Sequence, residues 1–132
     1  MSFTHNVTVN YTSGGATVSG SFSNTADGED NRDVTVPSAN TLTPLLVNMN
    51  VDVSQLQSLM ILSDKDISIK TNDATTPQET LTIKANVPFI YVANQGANNT
   101  LPFAGDVTAL YMINAGASAA SVKIRMLQDA TP

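Results

Sequence analysis

The sequence predicts an all-β domain, either an antiparallel β-sandwich or a jelly roll of about eight short strands. Two patterns indicate this fold: apolar and polar residues alternate within short segments, and Asn, Gly, Ser and Asp separate these segments at regular intervals. Abundant Val, Ile and Thr favour strands over helices. A chain of 132 residues is long enough for a single domain with a sizeable core.

The N-terminal segment alternates without interruption. From Phe3 to Thr12 every second residue lies on one face of a strand, and that face carries Phe3, His5, Val7, Val9 and Tyr11. Ala16 to Ser23 continues the pattern across Ser13-Gly14-Gly15, which predicts a hairpin turn. An extended terminal strand can add to the edge of another sheet. We therefore expect residues 1–12 to form an arm or edge strand that reaches a partner.

The next part of the chain mixes a polar segment with two short strands. Asn24 to Asp33 is acidic and predicts a flexible loop. Val34–Val36 and Leu45–Met49 are predicted strands, and the prolines between them exclude a helix. The one helix candidate, Val53 to Ser58, begins with the helix-start pattern Asp52-Val53-Ser54 but is too short to exceed a single turn.

A unit that occurs twice accounts for much of the remaining sequence. Its copies run from Asp52 to Lys70 and from Asp106 to Arg125, and in each an Asp-Val-Ser/Thr turn precedes an apolar run, a polar turn and an alternating strand. This order predicts two similar β-hairpins. The same-parity positions of these hairpins and of the strand Thr80–Lys84 are predicted to be buried: Leu59, Ile61, Ile67, Ile69, Leu81, Ile83, Leu110, Met112, Val122 and Ile124.

Other apolar residues lie at positions where they are not expected to stabilise the core of a single chain. Phe89–Val92 is apolar on both faces, and Leu101 and Phe103 lie in the Gly/Asn-rich loop Asn94–Phe103. Exposed apolar surface usually marks contacts, so we expect a homo-oligomer, either a dimer or a trimer. The predicted partner-interface residues are Phe3, Val7, Val9, Tyr11, Phe89, Tyr91, Leu101 and Phe103.

Composition argues against several classes of partner. The net charge is -5 and only 13% of the residues are charged. Nucleic-acid binding depends on Lys and Arg that neutralise phosphates, so no nucleic-acid partner is expected, and binding to an anionic membrane is disfavoured for the same reason. No segment approaches the roughly 20 apolar residues of a membrane span, and the N-terminus lacks a signal-peptide pattern. We expect synthesis in a cytoplasm.

The sequence offers few residues for catalysis or metal binding. His5 is the only histidine and there is no cysteine, so a Ser-His-Asp or zinc mechanism would depend on His5 alone. Asp27–Asp33 carries oxygen ligands for calcium, but not in EF-hand order. Asp64 and Asp66 fit turn geometry better than paired catalytic carboxylates. We therefore predict no catalytic residues, no cofactor and no metal site.

Four segments in the second half of the chain carry a family resemblance: 63–72, 80–89, 106–111 and 127–132. Over residues 45–132 they make the chain similar to small accessory head proteins of tailed bacteriophages, whereas the first forty residues resemble that group only in style. The resemblance implies a virion structural protein that decorates or cements the capsid shell. It also implies the major capsid protein as a partner and the capsid surface as the location.

A cement role agrees with the residues themselves. It needs a rigid fold and many weak contacts rather than chemistry, and an oligomer multiplies such contacts through effective concentration. The alternative is a head-fibre or tail-associated β-module that binds a host surface glycan. Both hypotheses place the function in the surface that the scaffold presents.

Overall fold

The computed structural model describes residues 2–93 and 100–129. Within these residues the protein has ten β-strands and no helix. The strands are β1 Phe3–Ser13, β2 Ala16–Ala26, β3 Gly28–Val36, β4 Leu45–Val51, β5 Leu56–Ser63, β6 Ile67–Thr71, β7 Thr80–Ile83, β8 Phe89–Val92, β9 Val107–Ile113 and β10 Ala120–Gln128.

Eight of the strands form two four-stranded antiparallel sheets. Their orders are β3-β10-β5-β8 and β4-β9-β6-β7, and β1 and β2 pair separately. The pairs β3/β10, β4/β9, β5/β8 and β6/β7 are nested in the chain, like four stretches of one long hairpin that has been rolled into two sheets. This is jelly-roll topology. The predicted fold class is confirmed, with ten strands rather than about eight.

The core lies between the two sheets. All ten residues predicted to be buried are buried, and Ile69, Met112, Val122 and Ile124 are completely inaccessible. They come from both sheets and form one cluster, which Met49, Val107 and Met126 also join. Strand periodicity identified these positions because one face of each sheet is covered and the alternating residues must follow that face.

The prediction that each repeat unit is a hairpin is wrong. β5 and β6 belong to different sheets, and so do β9 and β10. The two copies pair with each other instead, β5 with β10 and β6 with β9. The connection 64–66 has three residues, which reach about 10 Å and are therefore long enough to cross between packed sheets. Alternation marks the buried face of a strand but does not say which sheet holds it.

The prediction of a flexible acidic loop at Asn24–Asp33 is also wrong. These residues form the end of β2, a bend at Asp27 and most of β3, which pairs with β10. Ion pairs balance the acidic side chains: Arg32 contacts Asp30 at 2.9 Å, and Arg125 contacts Asp33 at 3.0 Å. Pairing with β10 thus overrides the low strand propensity of Asp and Asn.

Two buried asparagines close one end of the sandwich. The Oδ1 of Asn40 accepts a hydrogen bond from the backbone N–H of Asn114 at 2.6 Å, and its Nδ2 donates to the carbonyl of Met112 at 3.1 Å. The amide of Asn114 donates to the carbonyl of Ser118 at 2.7 Å and accepts from the N–H of Gly116 at 3.0 Å. These bonds join the connection between β3 and β4 to the one between β9 and β10.

Truncation of Ile124 tests the core. Ile124→Ala should lower the free energy of unfolding by about 2 to 5 kcal/mol, because it removes a fully buried side chain and leaves a cavity. Urea denaturation measures the change. Leu42→Ala is the control, since Leu42 is 95% exposed and should change stability by less than about 0.5 kcal/mol. Equal effects of the two substitutions would contradict the assigned core.

Truncation of Asn114 tests the buried polar contacts. Asn114→Ala should cost about 2 kcal/mol or more, because it removes a fully buried side chain that bonds the carbonyl of Ser118 and the N–H of Gly116 within the connection between β9 and β10. The exposed Asn50→Ala is the matched control. A cost at Asn114 as small as that of the control, measured by thermal unfolding, would show that these side-chain hydrogen bonds do not stabilise the connection between β9 and β10.

Candidate functional site at the N-terminal hairpin

The first two strands form a long hairpin outside the sandwich, which we call the arm. β1 and β2 pair in continuous register from Phe3 opposite Ala26 to Ser13 opposite Ala16. The turn is Gly14-Gly15, and both residues have positive φ, +57° and +86°. A two-residue hairpin turn that matches strand twist requires such angles, and glycine adopts them without strain. The predicted hairpin is confirmed. Eleven residues per strand give the arm a length of about 36 Å.

The two faces of the arm differ in chemistry. The register places Val7, Val9, Tyr11, Val18 and Phe22 on one side, which we call the apolar face. Apart from the turn, the opposite face carries only Ser, Thr and Asn side chains: Thr4, Asn6, Thr8, Asn10, Thr12, Thr17, Ser19, Ser21, Ser23 and Thr25. Cross-strand hydroxyl pairs lie on this polar face, such as Thr4 with Thr25 at 2.8 Å. The arm is therefore an amphipathic ribbon.

The base of the apolar face lies on the outer surface of the sheet β3-β10-β5-β8. The His5 Nε2 contacts the Glu29 carboxylate at 2.7 Å, and the Asn24 amide donates to the carbonyl of Gln57 at 3.1 Å. Leu127 alternates with the core residues of β10 and so faces outward, yet it is fully buried. Both arm strands contact β10, so the arm base forms a partial third layer over this part of the sheet.

Beyond its base the arm is open to solvent on both faces. Every residue from 8 to 21 is exposed, and the apolar side chains Val9, Tyr11 and Val18 are 50%, 72% and 72% exposed. We call this part the arm tip. An isolated two-stranded hairpin is marginally stable in water, and clustered exposed apolar residues usually mark contacts. The arm tip thus gathers three exposed apolar side chains on one face and is a candidate contact surface.

The arm is also uncharged apart from any proton on His5. Residues 1–26 contain no Asp, Glu, Lys or Arg, so the net charge of -5 belongs to residues 27–132. A surface of this kind attracts partners through apolar contact and neutral hydrogen bonds. Its contacts should depend little on salt, because salt screens interactions between charges.

A cleft opens where the arm leaves the sheet. Its volume is about 360 Å³, and its lining includes His5, Glu29, Asn31, Ser58 and Arg125. The Ser58 hydroxyl is buried and has no hydrogen-bond partner among the described residues, so it is not bonded to His5. The serine–histidine contact that activates a nucleophile is therefore not formed. The cleft can hold water or a small polar molecule.

The structure separates the predicted interface residues into two groups. Val9 and Tyr11 belong to the arm tip, whereas Phe3 and Val7 are half-buried on the apolar face at the arm base. Sequence reasoning missed Val18 and Phe22, which complete that face from β2. Their signal was the alternation in Ala16–Ser23, which becomes informative once the two-residue turn fixes the register.

The second group of predicted interface residues lies against the core. Phe103 is only 4% exposed and belongs to the core cluster, so the expectation that it offers an exposed docking side chain is wrong. Phe89, Tyr91 and Leu101 are half-buried and pack on the same cluster. The physical reason is that β8 is an edge strand whose Phe89 and Tyr91 share the inner face with β5. Of the predicted loop Asn94–Phe103, positions 94–99 lie outside the described residues.

The acidic residues considered as possible sites hold backbone groups instead. Asp64 accepts a hydrogen bond from the N–H of Ser121 at 2.7 Å, and Asp66 accepts one from the N–H of Ala85 at 2.7 Å. Asp66 also lies 3.6 Å from the Lys84 ammonium. Across residues 2–93 and 100–129, no group of three or more acidic, histidine or cysteine residues is placed to hold a metal ion.

The Asp66 contacts lead to a pH prediction. The hydrogen bond from Ala85, and secondarily the Lys84 charge, lower the pKa of Asp66 below its ordinary value of 3.8. A lowered pKa in the folded state means that the stabilising contribution is present above the unfolded-state pKa and is lost as pH falls through the folded-state pKa. Carboxyl NMR titration should find the Asp66 midpoint below 3.8. Lys84→Ala should move it part of the way back, and a midpoint at or above the ordinary value would contradict these contacts.

Comparison of this chain with protein families, with known proteins and with solved structures finds no match. None of the described residues forms a helix long and apolar enough to cross a membrane. The resemblance to accessory head proteins stays a prediction.

Proposed function

We propose that this protein is a structural protein of a bacteriophage virion that decorates and stabilises the capsid shell as a cement protein. One observation carries the proposal: a jelly roll with a single core presents a cluster of exposed apolar side chains, Val9, Tyr11 and Val18, on an uncharged arm that projects from the domain. Such an arm suits assembly with other proteins. The proposed partners are the major capsid protein and other copies of the same chain.

The rigidity of the scaffold supports this role. Two sheets share one core, and buried Asn40 and Asn114 hold connections at one end of the sandwich. A cement protein must keep its contact surfaces in fixed positions while the shell strains against it. A small, closed β-sandwich does this without disulfides, which this chain cannot form because it has no cysteine.

The surface chemistry supports it as well. Ser, Thr and Asn cover the polar face of the arm, so hydrogen bonds can form with many neighbours without a strong long-range field. Weak contacts of this kind become strong when several are made at once by linked copies. We place the protein on the capsid surface after synthesis in the host cytoplasm.

The experiment measures how much of the purified chain binds to particles of the virus that encodes it. Particles made without this protein should bind the purified full chain, and their shells should then melt at a higher temperature. Cryo-electron microscopy of the loaded particles should place ten-stranded density at repeated positions on the shell. Loading should be similar at about 0.05 M and about 0.5 M salt, since the arm is uncharged.

A matched pair of variants makes the assay specific to the arm. Tyr11→Asp places a charge on the apolar face of the arm tip and should reduce loading at least about tenfold, whereas Thr12→Asp places the same charge on the polar face and should not. Both positions are exposed, so both variants should fold. The pair is cleaner than deletion of residues 1–12, which would uncover Leu127 beneath the arm base. Failure of the wild-type chain to bind particles would reject the cement role.

The cleft at the arm base favours one second candidate, a fibre or tail module that binds a host surface glycan. Sugar hydroxyls could bond to the exposed Asn31, which lines the cleft. Polysaccharide from the host surface would then raise the melting temperature of the purified chain, and Asn31→Ala would remove the shift while the exposed Asn50→Ala would not. No shift with the wild-type chain would reject this candidate.

A further inference from the structure

Gly20 is unexplained by the fold of the single chain. It lies inside β2, opposite Val9 in an uninterrupted register, and its φ is not positive. A Cβ atom built on Gly20 would meet no atom within 4 Å. Neither backbone conformation nor internal packing therefore requires glycine here, although glycine inside a strand costs roughly 0.5 to 1 kcal/mol relative to alanine.

The position of Gly20 suggests what it is for. It lies on the apolar face of the arm tip, beside Val9 and one step along the same face from Val18. The missing side chain leaves a hollow, and Val18 protrudes next to it with 72% of its surface exposed. Glycine within a strand often marks a place where another chain approaches closely. The hollow and the protruding side chain are parts of one surface.

We propose that the apolar face of the arm tip is a self-association surface that packs face to face on the arm tip of a second copy of this chain. The two arms run antiparallel, and Val18 of each copy fills the hollow above Gly20 of the other. This inference deepens the proposed structural role by naming one partner and its contact. It can be tested on purified protein without any virus particle, so its failure is distinguishable from failure of the cement role.

The geometry of the arm explains the antiparallel arrangement. The base of the apolar face is covered by the chain's own sheet, where His5 meets Glu29, so only the tip is free. Parallel arms would superimpose the two bases, so the domain that covers one base would occupy the place of the other arm. Antiparallel arms place the two domains at opposite ends.

The same symmetry makes the contact self-complementary. The two-fold axis lies between the two arms and runs perpendicular to their strands. It passes midway between the Val9–Gly20 pair and the Tyr11–Val18 pair, so Val18 of each copy lies over Gly20 of the other, and Val9 of each copy lies over Tyr11 of the other. Two-fold contacts require this property, because one surface must supply both the protrusion and the hollow. The cross-strand register has no bulge, so the spacing between the protruding Val18 and the hollow at Gly20 is the same in both copies.

Charge also favours a second copy as the occupant. Two identical chains each carry a net charge of -5, but none of the Asp, Glu, Lys or Arg residues lies in the arm. The antiparallel arrangement holds the charged domains apart while the neutral tips meet. The tip strands also lack the Lys, Pro and bulges with which proteins usually protect exposed strands from association.

The size of the contact predicts its strength. The tip is about 20 Å long and about 10 Å wide, which is less than the roughly 800 Å² per partner of a stable interface. We therefore expect reversible dimers at high micromolar concentration. On a shell, where copies are held close together, the same contact would be occupied because the effective concentration is higher.

Sedimentation equilibrium of the full-length chain at about 10 to 500 μM tests the proposal. The wild-type chain should shift with concentration from 13.9 kDa towards twice that mass. Gly20→Val should stay folded, since space for the side chain is free in the single chain, but should weaken association at least about tenfold because it fills the hollow. Ser19→Asp, which lies on the polar face, should associate like the wild type.

The outcomes decide the proposal in either direction. A wild-type chain that remains a monomer over the whole range would overturn it, and so would a Gly20→Val chain that associates as strongly as the wild type. Loss of association in Ser19→Asp to the same extent as in Gly20→Val would also overturn it, because the polar face would then be part of the contact. Circular dichroism of each variant shows whether it is folded.

Cross-linking tests the orientation of the arms. The chain has no cysteine, so introduced thiols report single positions. In antiparallel arms Ser13 of one copy lies at the level of the half-buried Val7 of the other, where the tip of that arm meets its base, while the two Ser13 residues are about 20 Å apart. A short thiol cross-linker should therefore join Ser13→Cys chains to Val7→Cys chains, but not Ser13→Cys chains to each other. Efficient cross-linking of Ser13→Cys alone would indicate parallel arms and overturn the arrangement.

Discussion

The structure depends on the shared core between the two sheets, and above all on the four central strands that supply most of its buried side chains. β5 pairs with β10 in one sheet and β6 pairs with β9 in the other, so both repeat units contribute to both layers. Fully buried residues such as Ile69 and Ile124 belong to one cluster, although they come from different sheets. If one strand slipped by a single residue, its apolar side chains would face solvent, and both sheets would lose their common face.

The ends of the sandwich show how this core is kept closed. At one end Asn40 and Asn114 join two connections through buried hydrogen bonds. At the other end the two Asp-Val turns touch, because the N–H of Val53 donates to the Asp106 carboxylate at 3.0 Å. Polar residues that resemble candidate sites in the sequence therefore satisfy backbone groups that the sharp crossings between sheets leave without strand partners.

The arm is the part that the domain does not need for its own core. Its base uses one face to cover Leu127 on the outside of a sheet, and the same face continues into solvent beyond the edge of the domain. The proposed cement role and the proposed contact between arms rest on this continuity. A chain that needed only a stable sandwich would have no physical reason to expose Tyr11 and Val18 on a neutral ribbon.

Periodicity in the sequence determined most of the strands, the ten predicted buried positions and the Gly14-Gly15 hairpin, because a side chain's face within a strand is a local property. Only the tertiary structure decided which sheet each strand joins. Two consecutive strands show the same alternation whether they pair within one sheet or lie in opposite sheets across the core. Phe103 illustrates the difference: an apolar loop residue looks like a docking residue until the fold buries it. The hollow at Gly20 likewise became visible only when the register placed it beside Val9 and Val18 with nothing above it.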